Sequence, residues 1–281
     1  MAEPKVALVV NRTLPPQMER AAHDAIVALE DRGVRVDTSE TLAGARDADL
    51  ILVMGGDGTI LRGAELGRST GVPILGINYG HMGFLSEAQP DELPAVVERI
   101  AARDWVISER MTIDVHVQRP DGSCNVQWAL NEVSVEKAFN SRLIETSIGV
   151  DGREISAFKA DAVLLSTPTG STAYNFSAGG PVVWPSVEAL LLTPVAAHAL
   201  FTRPLVVSPY STLEVRVLRD EAMVSCDSRR RLVAPEGTVI TAVRGERPVK
   251  LARLNETPFS GRLVARFHLP VRGWREREVR E

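Results

Sequence analysis

Three short apolar runs, Lys5–Val10 (KVALVV), Asp49–Met54 (DLILVM) and Val72–Ile77 (VPILGI), constrain the fold of this chain more than any other feature. Each has the length of a strand, and the continuous apolar character of DLILVM is that of a strand covered on both faces. Segments with helical spacing lie between and after them. Residues 17–31 carry Ala22, Ile26 and Leu29 at i, i+4 and i+7, residues 59–68 read as helical, and Leu93, Val96, Val97 and Ile100 mark a further helix. Gly33 stops the first helix, and Val34–Val36 adds a short strand. The alternation predicts an open, mostly parallel α/β sheet with helices on both faces.

The pattern changes near Trp105. Thr112–Gln118 (TIDVHVQ) alternates apolar and polar residues, the mark of a half-exposed strand. Further strands are expected at 126–135, 143–150, 162–166, 204–207, 212–218, 222–226, 238–243 and 248–254. Turn signals such as Pro120-Asp121-Gly122 and Asp151-Gly152 separate some of them. A helix-like insert is expected at roughly 186–200, and the apolar stretch 263–274 is expected to pack back on the first domain. The expected organisation is α/β plus all-β: an α/β domain over 1–104, completed by 258–281, and a β-sandwich-like domain over 105–257.

Composition narrows the functional classes. The chain has 281 residues, 44% apolar and 24% charged, with mean hydropathy near zero, as in an ordinary globular protein. Its 32 basic and 36 acidic residues leave a net charge of −4, which argues against a dedicated nucleic-acid binder. Cys124 and Cys226 have no CxxC partner, so no zinc or redox motif is present, and both are expected to be reduced, buried thiols. The start, MAEPKVALVV, lacks the pattern of a signal peptide. The most apolar run, Ala189–Phe201, is broken by Thr193, Pro194 and His198 and falls short of the ~20 residues that span a bilayer. A soluble, cytoplasmic protein with no membrane partner is expected.

Gly55-Gly56-Asp57-Gly58-Thr59 follows the DLILVM strand directly and opens a helix. Ligands bind open α/β sheets at the carboxyl ends of such strands. Glycines let a phosphate approach the backbone, and the helix N-terminus favours an anion. Asp57 would repel a phosphate, and is explained if it takes a proton from a hydroxyl nucleophile or helps to hold Mg²⁺. No lysine follows, so this is not a P-loop, and Leu61 stands where a dinucleotide fingerprint needs its third glycine. A tight turn with no chemistry is the competing reading. The stretch from Thr167 to Gly180 carries five Ser or Thr hydroxyls and three glycines. It suits the sugar and phosphates of a polar ligand, Tyr174 could stack on a ring, and an inert polar loop is the alternative. Asn131-Glu132 could grip a ribose diol or a base edge, although a solvated strand end is the better reading of that pair alone. The glycine-rich loop Gly80-His81-Met82-Gly83-Phe84 could line the same crevice, with His81 in a structural role. Arg229-Arg230-Arg231 and the RGWREREVR tail read as solvated faces.

GGDGT alone is shared by several kinases, including lipid kinases and phosphofructokinases. GGDGT followed by INYGHMGF, then NEV, then KADAVLLSTPTGSTAYNFSAGGP, resembles the NAD kinase family in order and spacing, from about residue 5 to 273. The resemblance implies a two-domain fold and transfer of the γ-phosphate of ATP to the 2′-hydroxyl of the adenosine ribose of NAD, giving NADP. It further implies Mg²⁺ or another divalent metal, ATP as donor with polyphosphate left open, and a homodimer or homotetramer. Carried over residue by residue, Asp57 is the proton acceptor, with Gly58 beside it at the substrate. Gly55, Gly56, Gly58, Thr59 and Arg62 are placed at phosphate. Asn131 and Glu132 hold the adenosine ribose and base region, and Asp161 contacts NAD, with Lys159 nearby. Thr172, Ala173, Tyr174, Asn175, Phe176 and Ser177 wrap the nucleotide. Arg142 and Arg229 match variable contact positions. Ala162 stands where the family usually has glycine, and Tyr79 where it usually has a smaller residue. A lipid kinase of the diacylglycerol type and an NAD- or NADP-binding protein without catalysis are the alternatives; the hydroxyl-rich block argues against the first and Asp57 against the second.

Overall fold

The computed structural model describes residues 3–11, 16–80, 83–138, 141–200, 202–255 and 258–270. The chain forms two compact units, Met1–Glu109 with Val249–Glu281, and Arg110–Pro248. In chain order the first unit begins with β1 (Lys5–Val10), α1 (Pro16–Glu30), β2 (Arg35–Asp37), α2 (Leu42–Arg46) and β3 (Leu50–Gly55). It continues with α3 (Asp57–Thr70), β4 (Ile74–Asn78), α4 (Leu93–Ala101) and β5 (Val106–Arg110). The second unit holds β6 (Ile113–Gln118), β7 (Cys124–Ala129), β8 (Glu132–Lys137), β9 (Ile144–Val150), β10 (Arg153–Ala160) and β11 (Ala162–Ser166). There follow the short helix α5 (Tyr174–Ser177), β12 (Leu190–Val195), β13 (Leu205–Val207), β14 (Leu213–Arg219), β15 (Ala222–Cys226), β16 (Arg230–Ala234) and β17 (Val239–Arg244). The chain then returns to the first unit as β18 (Val249–Arg253) and α6 (Phe259–Phe267).

The first sheet runs β2-β1-β3-β4-β18-β5, with parallel pairing between the neighbours from β2 to β18. All six residues of β3 are buried, as its unbroken apolar run required. Helix α1 buries Met18, Ala22, Ala25 and Leu29 and leaves Ile26 half-buried, a stripe turned slightly from the expected one. Gly71 ends α3 in the left-handed conformation (φ 80°), where a side chain would be strained.

The second unit is a sandwich of two six-stranded antiparallel sheets, β10-β9-β14-β17-β6-β7 and β13-β12-β11-β8-β15-β16, around one apolar core. Valines and isoleucines of β6, β9 and β14 from one sheet meet Val133, Val163, Leu165 and Leu192 from the other. The alternation read in Thr112–Gln118 is the inward and outward face of β6.

Several expectations are corrected. The segment 186–200 is not helical: Leu190–Val195 is the buried strand β12, paired with β11 and β13. Periodicity cannot separate a buried strand from a buried helix in so apolar a run. Pro194 is tolerated because β13 pairs only with Leu190–Leu192, so Pro194 has a neighbouring strand on one side only. The expected single strand 126–135 is two strands in different sheets, and the chain crosses between them at Leu130-Asn131. The strand expected at 248–254 joins the first sheet beside β4, not the second domain. Cys124 is exposed at the start of edge strand β7; only Cys226 is buried, and burial pushes its thiol pKa up to about 12. Part of the apolar stretch 263–274 forms α6, which packs on the first unit through Phe267; residues 271–274 lie outside the described residues.

Candidate active site

The turn between β3 and α3 is built around glycine. A side chain at Gly55 would collide with Thr59, so Gly55 is required by packing. Gly56 and Gly58 differ: a Cβ at either would meet nothing within 4 Å, and neither has positive φ. Packing and backbone strain therefore do not explain these two glycines, and the open space beside them leaves room for close approach to the backbone. Asp57 opens α3, but its carboxylate is tied elsewhere. It accepts from the Phe84 amide at 3.1 Å and the Leu85 amide at 3.3 Å. Any side chain at Gly83 would collide with that carboxylate, so the close approach of the two segments depends on this glycine. Burial raises the Asp57 pKa above the usual carboxylate range, against the two amides and the charges of Arg266 and Arg262. The result is a fixed carboxylate with a stronger affinity for protons than a solvated one.

In the second unit, the chain crossing at Leu130-Asn131 is clamped from both sides. The Thr167 hydroxyl donates to the Leu130 carbonyl at 2.6 Å, and the Thr167 amide to the Asn131 carbonyl at 2.9 Å. Gly170 sits so close to the Asn131 backbone that any side chain would overlap it. From the other side, the buried Asp227 carboxylate accepts from the Leu130 amide at 3.0 Å and the Asn131 amide at 2.8 Å. Arg230 pairs with Asp227 at 3.0 Å, donates to the Trp128 carbonyl at 2.8 Å, and lies over the Trp128 ring at 4.4 Å. Arg230 thus departs from the solvated-face reading of Arg229–Arg231; Arg229 and Arg231 are exposed.

This clamp fixes Glu132, whose side chain is strongly perturbed. The residue is 5% exposed, its Oε2 has no hydrogen-bond partner, and it accepts from the Tyr174 amide. Burial, reinforced by the charge of Asp227, pushes its pKa up to about 8. A buried carboxyl oxygen left unpaired is costly, and a bound hydroxyl or amide would satisfy it.

The remaining predicted residues lie in several places. Tyr174, Phe176 and Ser177 are exposed on α5, while Thr172 and Ala173 are half-buried beside it. Asn175 is fully buried and braces the loop: its Oδ1 accepts from the Thr193 hydroxyl at 2.7 Å and its Nδ2 donates to the Pro181 carbonyl at 3.2 Å. Asp161 pairs with Lys137 at 2.5 Å and Lys159 with Glu145 at 3.7 Å; Arg142 and Lys159 line a polar cleft of about 340 Å³ with Arg219 and Asp220. Arg62 is engaged with the Val10 carbonyl and Glu40, so its guanidinium is anchored at the end of β1. Tyr79 packs its ring against the first core. His81 lies outside the described residues.

Three contributions are absent from the sequence reading: the Phe84 and Leu85 amides, Asp227, and Arg230. The glycines around Phe84 gave a signal for the first. Nothing in the sequence marked the other two, which act across 96 to 102 residues of chain.

A half-buried carboxylate at an open glycine turn, and a buried carboxyl with an unpaired oxygen near a hydroxyl-rich loop, define a class: a phosphotransferase that acts on a nucleotide. The comparisons narrow it. Residues 12–105 match the model of the ATP-NAD kinase N-terminal domain, and residues 130–254 that of the ATP-NAD kinase C-terminal domain. NAD kinase 2 of Streptomyces coelicolor is 50% identical over 260 residues, covering 92% of this chain and 85% of that protein. NAD kinase of Thermobifida fusca is 48% identical, covering 90% and 80%. An Archaeoglobus fulgidus NAD kinase solved with ATP superposes with a TM-score of 0.76 at 29% identity, covering 95% of this chain and all of that one. Yeast NADH kinase complexed with NADH has the same fold, with a TM-score of 0.86 at 21% identity over 96% of this chain and 89% of that one. The chain belongs to the NAD kinase family.

Proposed function

We propose that this chain, as an NAD kinase, transfers the γ-phosphoryl group of ATP to the 2′-hydroxyl of the adenosine ribose of NAD, with Asp57 as the general base. The observation that carries the reading is the Asp57 carboxylate, half-buried, raised in pKa and held by two amides at a turn whose Gly56 and Gly58 faces are open. A ribose hydroxyl is a weak nucleophile near neutral pH. In the proposed step the 2′-oxygen attacks the γ-phosphorus, the bond to the β,γ-bridging oxygen breaks, and Asp57 takes the hydroxyl proton. The products are NADP and ADP. Gly55, Gly56, Gly58 and Thr59 flank the phosphates; Arg62, anchored at β1, reaches phosphate only if it leaves Glu40.

The second unit supplies the nucleotide contacts in this reading. Asn131 and Glu132 take the adenosine ribose and base region, the Glu132 Oε2 being satisfied by a ligand hydroxyl or amide. The Thr172–Ser177 loop covers the nucleotide, with the Tyr174 ring available to stack and Asn175 bracing the loop from inside. Asp161, Lys159, Arg142 and Arg229 are placed at the outer contacts. Among the described residues no group of three His, Cys, Asp or Glu could hold a metal ion. No step is assigned to a metal ion. Among the described residues no helix is long and apolar enough to cross a membrane. A cytoplasmic homodimer or homotetramer completes the proposal; exposed Val206 on β13 and Tyr210 beyond it support an interface between copies.

The test is direct. Protein with ATP, Mg²⁺ and NAD should form NADP, and Asp57→Asn should fold normally yet lose about 10²- to 10⁴-fold in kcat. Wild-type turnover by Asp57→Asn removes the base assignment.

A further inference from the structure

The segment that supplies amides to Asp57 is itself held by an ion cluster. Glu87, whose side chain is 1% exposed, pairs with Arg253 at 2.8 Å and with Arg262 at 2.7 Å. Its Oε1 also accepts from the Leu254 and Asn255 amides, at 2.9 and 3.0 Å. Both arginines reach the backbone of the same segment. Arg262 donates to the Ser86 carbonyl, and Arg253 lies 3.4 Å from the Ser86 carbonyl and 3.5 Å from that of Leu85. Aromatic packing closes α6 onto it, with the Phe84 ring centroid 5.6 Å from Phe259 and 5.7 Å from Phe267.

A buried ion cluster is a poor device for stability alone, because apolar residues of similar volume often do as well or better. Its value here is position. Phe84 and Leu85 can hold Asp57 only while their backbone stays fixed, and the cluster fixes it from β18 and α6 together. We propose, building on the base role of Asp57, that Glu87 and Arg262 are positioning residues for phosphoryl transfer, making α6 a working part of the catalytic unit. Charge supports the same reading. Arg253 from β18, and Arg262 and the exposed Arg266 from α6, all act on Asp57 and favour its ionised form, opposing the effect of burial. Arg262 and Arg266 are one helical turn apart, on one face of α6.

The experiment compares pH profiles of kcat and KM, with thermal unfolding, for wild type, Glu87→Gln, Arg262→Gln, Arg262→Lys and Arg266→Gln. Arg262→Gln and Glu87→Gln should lower kcat by about tenfold with little change in either KM, since an interaction realised in the transition state is lost. Arg262→Gln should also move the acidic limb up by about half a pH unit. Arg262→Lys should restore the limb but not kcat, because an ammonium cannot span Ser86 and Glu87 as a guanidinium fork does. Arg266→Gln should move the limb in the same direction without changing the unfolding temperature. Arg262→Gln with reduced stability but wild-type kcat and limb overturns the proposal. If that variant does not fold, wild-type kcat in Arg262→Lys together with an unmoved limb in Arg266→Gln does the same. Wild-type turnover by Asp57→Asn would instead remove the base reading on which the proposal stands.

Discussion

Glu132 should make this protein less stable as the pH rises, and Glu132→Gln should abolish that loss. In the folded chain its pKa is pushed up to about 8 by burial and by Asp227, against 4.5 in its ordinary state. Below pH 4.5 the carboxyl is protonated whether the chain is folded or not, so it imposes no penalty. Between 4.5 and about 8 the unfolded chain releases the proton while the folded chain keeps it, and stability falls with every step in pH. Above about 8 both states are ionised and the loss is complete. At 1.36 kcal/mol per pH unit the full difference is about 5 kcal/mol, a ceiling that relaxation of the buried site would reduce by about half.

Glutamine preserves the shape and accepts the Tyr174 amide bond without a charge. Thermal unfolding of both proteins should therefore be followed from pH 5 to pH 8.5. The curves should lie close together at pH 5. At pH 8.5 the variant should unfold about 5 °C or more above wild type, taking roughly 2 kcal/mol and the usual few degrees per kcal/mol for a chain of this size. The same variant should bind NAD more weakly, since the carboxyl oxygen offered to the ligand is gone. Two curves that stay parallel across this range would refute the assignment of a buried, proton-retaining carboxyl.

Gly58→Ala should raise stability by about 0.5–1 kcal/mol, because alanine is the better helix former in α3 and its Cβ meets no protein atom, yet kcat/KM for ATP should fall as the methyl group enters space reserved for a phosphate. Stability by chemical denaturation and steady-state kinetics check both halves, and unchanged kinetics would return Gly58 to a purely local role. Arg230→Met should cost about 3 kcal/mol, the price of leaving Asp227 buried without its cation. Denaturation in urea measures the loss, and the KM for NAD should rise with it because the Leu130-Asn131 crossing loosens.

Much of this was written locally in the chain. The parallel sheet was legible because KVALVV, DLILVM and VPILGI are short, apolar and spaced by helical stripes, and the place of GGDGT between a strand and a helix was legible because it follows DLILVM directly. The crossing at Leu130-Asn131 was hidden, since β7 and β8 form one unbroken run of strand-like residues and only pairing with different sheets divides them. The strand β12 was hidden for a related reason: a fully buried run has no polar face to set its period. Long-range partners were the least legible. Arg230 reads as one of three adjacent surface arginines until Trp128 is brought beneath it from the far side of the second unit's sequence, and Glu87 gains its partners only when β18 and α6 return from the far end of the chain.

The two units solve one problem in the same way. Each must keep a carboxylate or its neighbour fixed in a low-dielectric place, and each does so with backbone amides from another segment: Phe84 and Leu85 for Asp57, Leu130 and Asn131 for Asp227. Amides bring donors without a titrating charge of their own, and they hold the acid's proton affinity down against burial, with the arginines nearby acting in the same direction. Close approach is then limited by sterics, and in both places glycine removes the obstruction, Gly83 under Asp57 and Gly170 against Asn131. That division explains why the glycines were visible in the sequence and the arginines were not. A close approach needs a particular residue type at a particular position, whereas a cation can be supplied from any strand or helix that the fold brings near.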